Sequence, residues 1–189
     1  VGSFDGKKFV NESPTQTKWM DWGKDNYATV TWNNAPDGRC IALGWMSNWQ
    51  YANNVPTRQY RSANTLARDL TLYREGQELY LKSTPSVEVK KARGKKVSIP
   101  SFKVSEKHEM VNLFEDKQGA YEVEIVIQNT GASKIAFFLL NDKGEKVSMY
   151  YDLNRKQFVM DRSESGKVDF SKEFSAITSA AVNVEKKIN

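Results

Sequence analysis

Apolar and polar residues alternate along this chain in short stretches, and Asn, Asp, Gly and Pro cut the alternation at close intervals. Tyr27-Ala28-Thr29-Val30-Thr31-Trp32 is β-prone, and Asn33-Asn34-Ala35-Pro36-Asp37-Gly38 carries turn chemistry. Arg39-Cys40-Ile41-Ala42-Leu43-Gly44-Trp45 then returns as the partner strand of a hairpin. Residues 66–72 and 78–82 flank Glu75-Gly76-Gln77 and predict a second hairpin. Further on, Ala120-Tyr121-Glu122-Val123-Glu124-Ile125-Val126-Ile127 has the period of a half-buried strand. Stretches 135–140, 147–153 and 157–160 follow, separated by Asn129-Thr130-Gly131, Asn141-Asp142-Lys143-Gly144 and Asn154-Arg155-Lys156, which predicts an antiparallel meander forming half of a β-sandwich. Residues 171–181 are the best helix candidate. The expected class is all-β, with strand lengths and spacing that suit a sandwich, barrel or propeller.

Composition divides the chain. All five tryptophans, Trp19, Trp22, Trp32, Trp45 and Trp49, lie at or before residue 49, and a basic run, Lys90-Lys91-Ala92-Arg93-Gly94-Lys95-Lys96, follows Pro85. A domain boundary is therefore expected between Thr84 and Val97, giving units 1–85 and 98–189 joined by 86–97. The net charge of +5 is concentrated in that run. With no aromatic interleaved to stack on bases, it reads as a solvated connector, and no nucleic-acid partner is expected. The longest apolar run, Ile135-Ala136-Phe137-Phe138-Leu139-Leu140, can cross a sheet but falls far short of the ~20 residues of a membrane span. Cys40 is the only cysteine, so neither an internal disulfide nor a Cys-based metal site is open to the chain.

Most familiar catalytic constellations are absent. His108 is the only histidine and sits in the charged stretch Glu106-Lys107-His108-Glu109, where a surface role is expected. No HExxH, CxxC, phosphate-binding glycine loop or dinucleotide fingerprint occurs, and no metal or cofactor is implied. What remains is an early segment dense in carboxylates, amides and aromatics. Sugars are held by such sets, their C–H faces against rings and their hydroxyls on Asp, Asn and Lys. Trp32, which ends a strand in alternation with Val30, is instead expected in the core.

The order of motifs sharpens this. Trp19-Met20-Asp21-Trp22-Gly23-Lys24-Asp25-Asn26-Tyr27-Ala28 precedes Gly44-Trp45-Met46-Ser47-Asn48-Trp49-Gln50-Tyr51-Ala52-Asn53-Asn54-Val55-Pro56-Thr57. Tyr60-Arg61-Ser62 and Leu66-Ala67-Arg68-Asp69-Leu70 come next. The series resembles the levanases, exo-inulinases and invertases of glycoside hydrolase family 32, most strongly over residues 1–85. The resemblance implies a five-bladed β-propeller followed by a β-sandwich. It also implies retaining hydrolysis of β-fructosyl linkages in levan, inulin or sucrose, by an Asp nucleophile and a Glu acid/base whose carboxyls lie ~5–5.5 Å apart. Bacterial secretion or periplasmic location is implied as well.

The family's Trp-Met-Asn-Asp-Pro-Asn-Gly, Arg-Asp-Pro and Glu-Cys motifs do not occur: Asp69 is followed by Leu70, and Cys40 is preceded by Arg39. The expectation is thus the last part of a propeller and an unfinished sandwich, inactive alone. The catalytic pair would lie upstream of Val1, and the rest of the catalytic domain would be the partner. Val123, Ile125, Ile127, Phe137 and Leu139 would then lack part of their cover. By resemblance, Asp21 and Lys24 belong to the active-site rim as sugar contacts, with a structural salt bridge as the alternative role. Asn48 joins them, and Trp45 or Trp49 walls the fructosyl subsite. A bend at Ser47-Asn48 is expected to part the two rings, because Ser and Asn favour turns. The rival reading is a non-catalytic carbohydrate-binding β-sandwich module.

Overall fold

The computed structural model describes residues 1–110, 120–128, 131–182 and 187–188. A hairpin opens the chain, with strand β1 at Gly2–Phe4 and β2 at Phe9–Asn11; the Asp5 carboxylate accepts from the backbone N–H groups of Lys7 and Lys8 at its tip. Strands β3 (Tyr27–Trp32), β4 (Cys40–Trp45), β5 (Arg68–Glu75) and β6 (Glu78–Pro85) form one antiparallel sheet in chain order, the up-and-down form of a propeller blade. Both expected hairpins are present. Asp37 and Gly38 take left-handed φ values of 63° and 65° between β3 and β4, as a type I′ turn requires. Gly76, at φ 60°, turns β5 into β6.

A two-residue strand β7 (Ile127–Gln128) precedes β8 (Lys134–Leu140), β9 (Lys146–Asp152) and β10 (Gln157–Glu164), the predicted meander. Asn141 starts the β8–β9 turn by accepting from the N–H groups of Lys143 and Glu145. A one-turn helix α1 (Lys172–Ser175), capped by Ser171, leads into β11 (Thr178–Ala181), which extends the sheet to the order β11-β10-β9-β8. Lys187–Ile188 forms β12 and pairs with β7. The second sheet's core centres on Tyr151 and Val159, and the Tyr151 hydroxyl donates to the Val182 carbonyl at 2.6 Å.

Three expectations need correction. The strand expected over 120–127 is laddered, among the described residues, only from Ile127; alternation marks a face, whereas the ladder depends on a partner, β12, far along the chain. The helix expected over 171–181 is one turn, after which Thr178–Ala181 finds a better outlet for its backbone groups on β10. Trp32 is 50% exposed rather than core. Its strand lies at the sheet edge, and the alternation with Val30 is kept, but Val30 is 59% exposed too, so the two side chains share the outward face of the strand. Val123 and Leu139 are exposed and Ile125, Ile127 and Phe137 half-buried, so none of the five is fully covered.

The stretch 86–97 is tied by ion pairs on both sides. Arg39, at the start of the first sheet's second strand, grips Asp69 on β5 at 2.7 and 2.9 Å and Glu88 at 2.7 and 2.8 Å, while Arg93 donates to Glu122 at 2.7 Å. The Arg39 guanidinium holds the Glu88 carboxyl down to about 2, against an ordinary 4.5. A depressed carboxyl contributes stability that is complete above its ordinary value and lost as pH falls through the depressed one. Arg39→Met should therefore lower the melting temperature most at neutral pH, with the deficit closing as pH falls from about 5 towards about 2. Thermal melts across that range check this; a deficit independent of pH would assign the loss to packing of the arginine stem.

Candidate functional site

Strand β4 ends at Trp45 and the chain bends at Met46-Ser47, one residue before the expected place, and the bend does not part the rings as expected but leaves them in edge contact. The bend carries Trp49 out to 64% exposure while Trp45 stays half-buried, its ring between Tyr27 at 6.1 Å and Trp49 at 5.1 Å, both edge-on. The Trp45 indole N–H donates to Ser62 Oγ. One tryptophan therefore backs the other, and Trp49 is the ring presented to solvent.

The segment 21–26 lies alongside. Asp21 accepts from the Gly23 N–H at 2.7 Å and from Arg68 on β5 at 2.8 Å, and Lys24 pairs with Glu173 of α1 at 2.8 Å. Each thus makes a salt bridge, but to a different partner and not to the other. Both keep capacity. A carboxylate has about four acceptor sites and an ammonium three donors, and with side chains 26% and 24% exposed, Asp21 and Lys24 are open to a further hydroxyl. Asn48 differs: its Nδ2 group donates to the Lys24 carbonyl at 3.0 Å and to Asp25 Oδ1 at 3.3 Å, and its Oδ1 accepts from the Gln50 N–H at 2.9 Å. Its amide ties the 21–26 segment to the loop that follows β4.

The β4 sequence allows this close approach. Ala42 and Gly44 are buried on one face, and a Cβ on Gly44 would fall 2.2 Å from Asn26 Oδ1 and 2.6 Å from Thr29 Oγ1. Only a glycine leaves room for that hydrogen-bonded pair, which fixes the end of the 21–26 segment against the strand. Arg61 secures the opposite loop by donating to the carbonyls of Ala52, Asn53 and Val55.

Four residues that sequence reasoning did not assign complete the cluster. Asp25 accepts from the Tyr51 hydroxyl and from Arg162 Nη1 at 2.6 Å, and Arg162 Nη2 donates to Tyr51 at 2.8 Å. Arg162 comes from β10, Nε donating to the Phe174 carbonyl at 2.6 Å and the guanidinium lying 3.9 Å from the Phe174 ring. Burial, then the bond to Asp25, pushes the Tyr51 hydroxyl up to about 12. Glu173 is held below the ordinary carboxylate range by Lys24. Asp25 and Tyr51 stand inside the quoted motifs, whereas nothing local marks Arg162 or Glu173. His108 is exposed, as expected, against Phe102.

The chain belongs to the glycosyl hydrolases family 32: residues 1–83 match that family's N-terminal domain and residues 88–189 its C-terminal part. It is 35% identical to the levanase of Bacillus subtilis over 181 residues, which cover 93% of this chain and 26% of that protein. Against an extracellular exo-inulinase of Meyerozyma guilliermondii it is 31% identical over 201 residues, covering all of this chain and 38% of that one. Its fold matches the exo-inulinase of Aspergillus awamori with a TM-score of 0.68 at 24% identity, over 96% of this chain and 37% of the other. It also matches a fructofuranosidase of Schwanniomyces occidentalis complexed with fructosylnystose, with a TM-score of 0.57 at 25% identity, over 97% and 38%. The fold is that of the family's propeller and β-sandwich enzymes, and the chain spans well under half the length of these relatives.

Proposed function

We propose that this chain supplies the fructosyl-binding rim and the β-sandwich of a secreted, fructan-degrading, retaining glycoside hydrolase acting on levan, inulin or sucrose. The nucleophile and acid/base come from the rest of its catalytic domain. Residues 1–85 form the propeller portion, 86–97 the linker and 98–189 the sandwich. The observation that carries the reading is the exposed Trp49 ring beside Asp21 and Lys24, each of which retains free hydrogen-bonding capacity. Trp49 walls the sugar, Trp45 backs it, Asp21 and Lys24 take hydroxyls, and Asn48 holds the loop in place.

In the full-length polypeptide, Asp21→Ala or Lys24→Ala should lower kcat/KM on a fructo-oligosaccharide by about one to two decades, the worth of a hydrogen bond to a charged group. Trp49→Ala should raise KM by about three- to tenfold, from the lost ring face. Steady-state kinetics check both, with melts to confirm folding. Unchanged kinetics in all three well-folded variants would leave the salt bridges as purely structural and remove the sugar from this rim.

A further inference from the structure

Lys24 and Asp25, adjacent in the first unit, are both gripped from the second: Lys24 by Glu173 at 2.8 Å and Asp25 by Arg162 at 2.6 Å. Arg162 closes a ring of bonds. Its Nη1 meets Asp25 Oδ2, and its Nη2 meets the Tyr51 hydroxyl, which itself donates to Asp25 Oδ1. That same Oδ1 accepts from Asn48, one residue before Trp49. From the guanidinium to the residue beside the exposed indole, the path is thus two hydrogen-bonded steps through buried or half-buried groups.

The guanidinium is itself fixed on its other side. Nε donates to the Phe174 carbonyl at 2.6 Å, and the Phe174 ring stacks against it at 3.9 Å. Phe174 and Phe170 also pack edge-on or tilted around Tyr51, so the arginine arrives at Asp25 with few rotamers left to lose. A planar fork held this way sets the distance between the 21–26 segment and the 46–52 loop. A lysine, a single point donor, spans only one of the two acceptors.

We propose that Arg162 is a positioning residue for the sugar-binding rim: through Asp25, Tyr51 and Asn48, the sandwich sets where Trp49 stands relative to Asp21 and Lys24. This rests on the reading of Trp49 as the fructosyl wall. It gives the second unit a role in substrate affinity without contact with substrate. Arg39 provides the comparison, since it also joins the first sheet to the stretch beyond Pro85, through Glu88, yet bonds to no residue of the rim.

The test is steady-state kinetics of the full-length polypeptide on a fructo-oligosaccharide, with melts and tryptophan emission alongside. Arg162→Met is expected to raise KM by about tenfold or more with a smaller change in kcat, and Arg162→Lys to fall between it and the wild type. Arg39→Met should lower the melting temperature and leave KM unchanged. All five tryptophans lie in the first unit, so a shift of their emission on substituting Arg162 reports the rim moving. Arg162→Lys retains one bond and serves if the methionine variant fails to fold. KM unchanged in Arg162→Lys or Arg162→Met, or raised to the same extent by Arg39→Met, overturns the inference alone when Trp49→Ala still weakens binding. Trp49→Ala without effect overturns the rim reading and the inference together.

Discussion

The purified 189-residue chain should release no fructose from levan, inulin or sucrose above a buffer blank. Retaining hydrolysis needs one carboxylate free to attack and a second carboxyl kept protonated near neutral pH, which means a pKa raised by its surroundings. The carboxyls of the cluster around Trp49 each already face a cation. Asp21 is engaged by Arg68, Asp25 by Arg162 and Tyr51, and Glu173 by Lys24. Among the described residues, every carboxyl whose ionisation the fold clearly moves is moved down: Asp5, Asp69, Glu78, Glu88, Glu109, Glu122, Asp161 and Glu173. In each, the largest cause is a hydrogen bond donated to the carboxylate. That arrangement stabilises negative charge and withholds protons, the opposite of what a leaving oxygen requires. The expected deficit against the whole enzyme is on the order of 10⁶-fold or more. Chromatography of the reaction mixture checks it, and fructose released by this chain would place a working acid among these residues.

Turns and hairpins were legible because their chemistry is local. Asp37-Gly38 and Gly76 sit where left-handed backbone is required, and Asn141 caps its turn through its own side chain. Pairing is a different matter. Residues 120–127 carry a strand's period, yet the ladder begins at Ile127, because the partner edge is set by residues far along the chain. Trp32 differs for a related reason: alternation with Val30 puts the two on one face, but which face meets the core is set by the rest of the sheet, and here both are exposed.

The candidate site divides the same way. Asp21, Lys24 and the tryptophans are visible through motif order, whereas Asp25 and Tyr51, inside the same motifs, carry no local mark of their role. The partners across the chain are not legible either, since Arg68 lies 47 residues from Asp21, Glu173 149 from Lys24 and Arg162 137 from Asp25. No periodicity or composition encodes contacts at that range. An arginine in an alternating strand reads as a solvent-facing residue until the opposite unit is brought to it.

Tyr51 is where these long-range contacts converge, and its removal should be the most damaging single change to the fold. It is 2% exposed, its ring edge-on to Phe174 at 5.6 Å and to Phe170 at 6.4 Å. Truncation of a buried aromatic of this kind costs about 3–5 kcal/mol, so Tyr51→Ala should leave little of a typical domain's stability. Tyr51→Phe keeps the ring and deletes one hydroxyl, leaving Arg162 and Asp25 each a partner short, at about 1–3 kcal/mol. The two variants separate packing from hydrogen bonding, and pH separates them again. Burial, then Asp25, raises the hydroxyl from 10.0 to about 12. A group whose folded pKa is raised contributes stability that is complete below its unfolded value and lost as pH climbs through the folded one. Between about pH 10 and 12 the wild type should therefore lose stability faster than Tyr51→Phe, and the gap between them should narrow. Denaturant melts at neutral and alkaline pH measure both effects. A phenylalanine variant as stable as the wild type at pH 7 would show that the Asp25–Tyr51–Arg162 ring is held by the aromatic contacts alone.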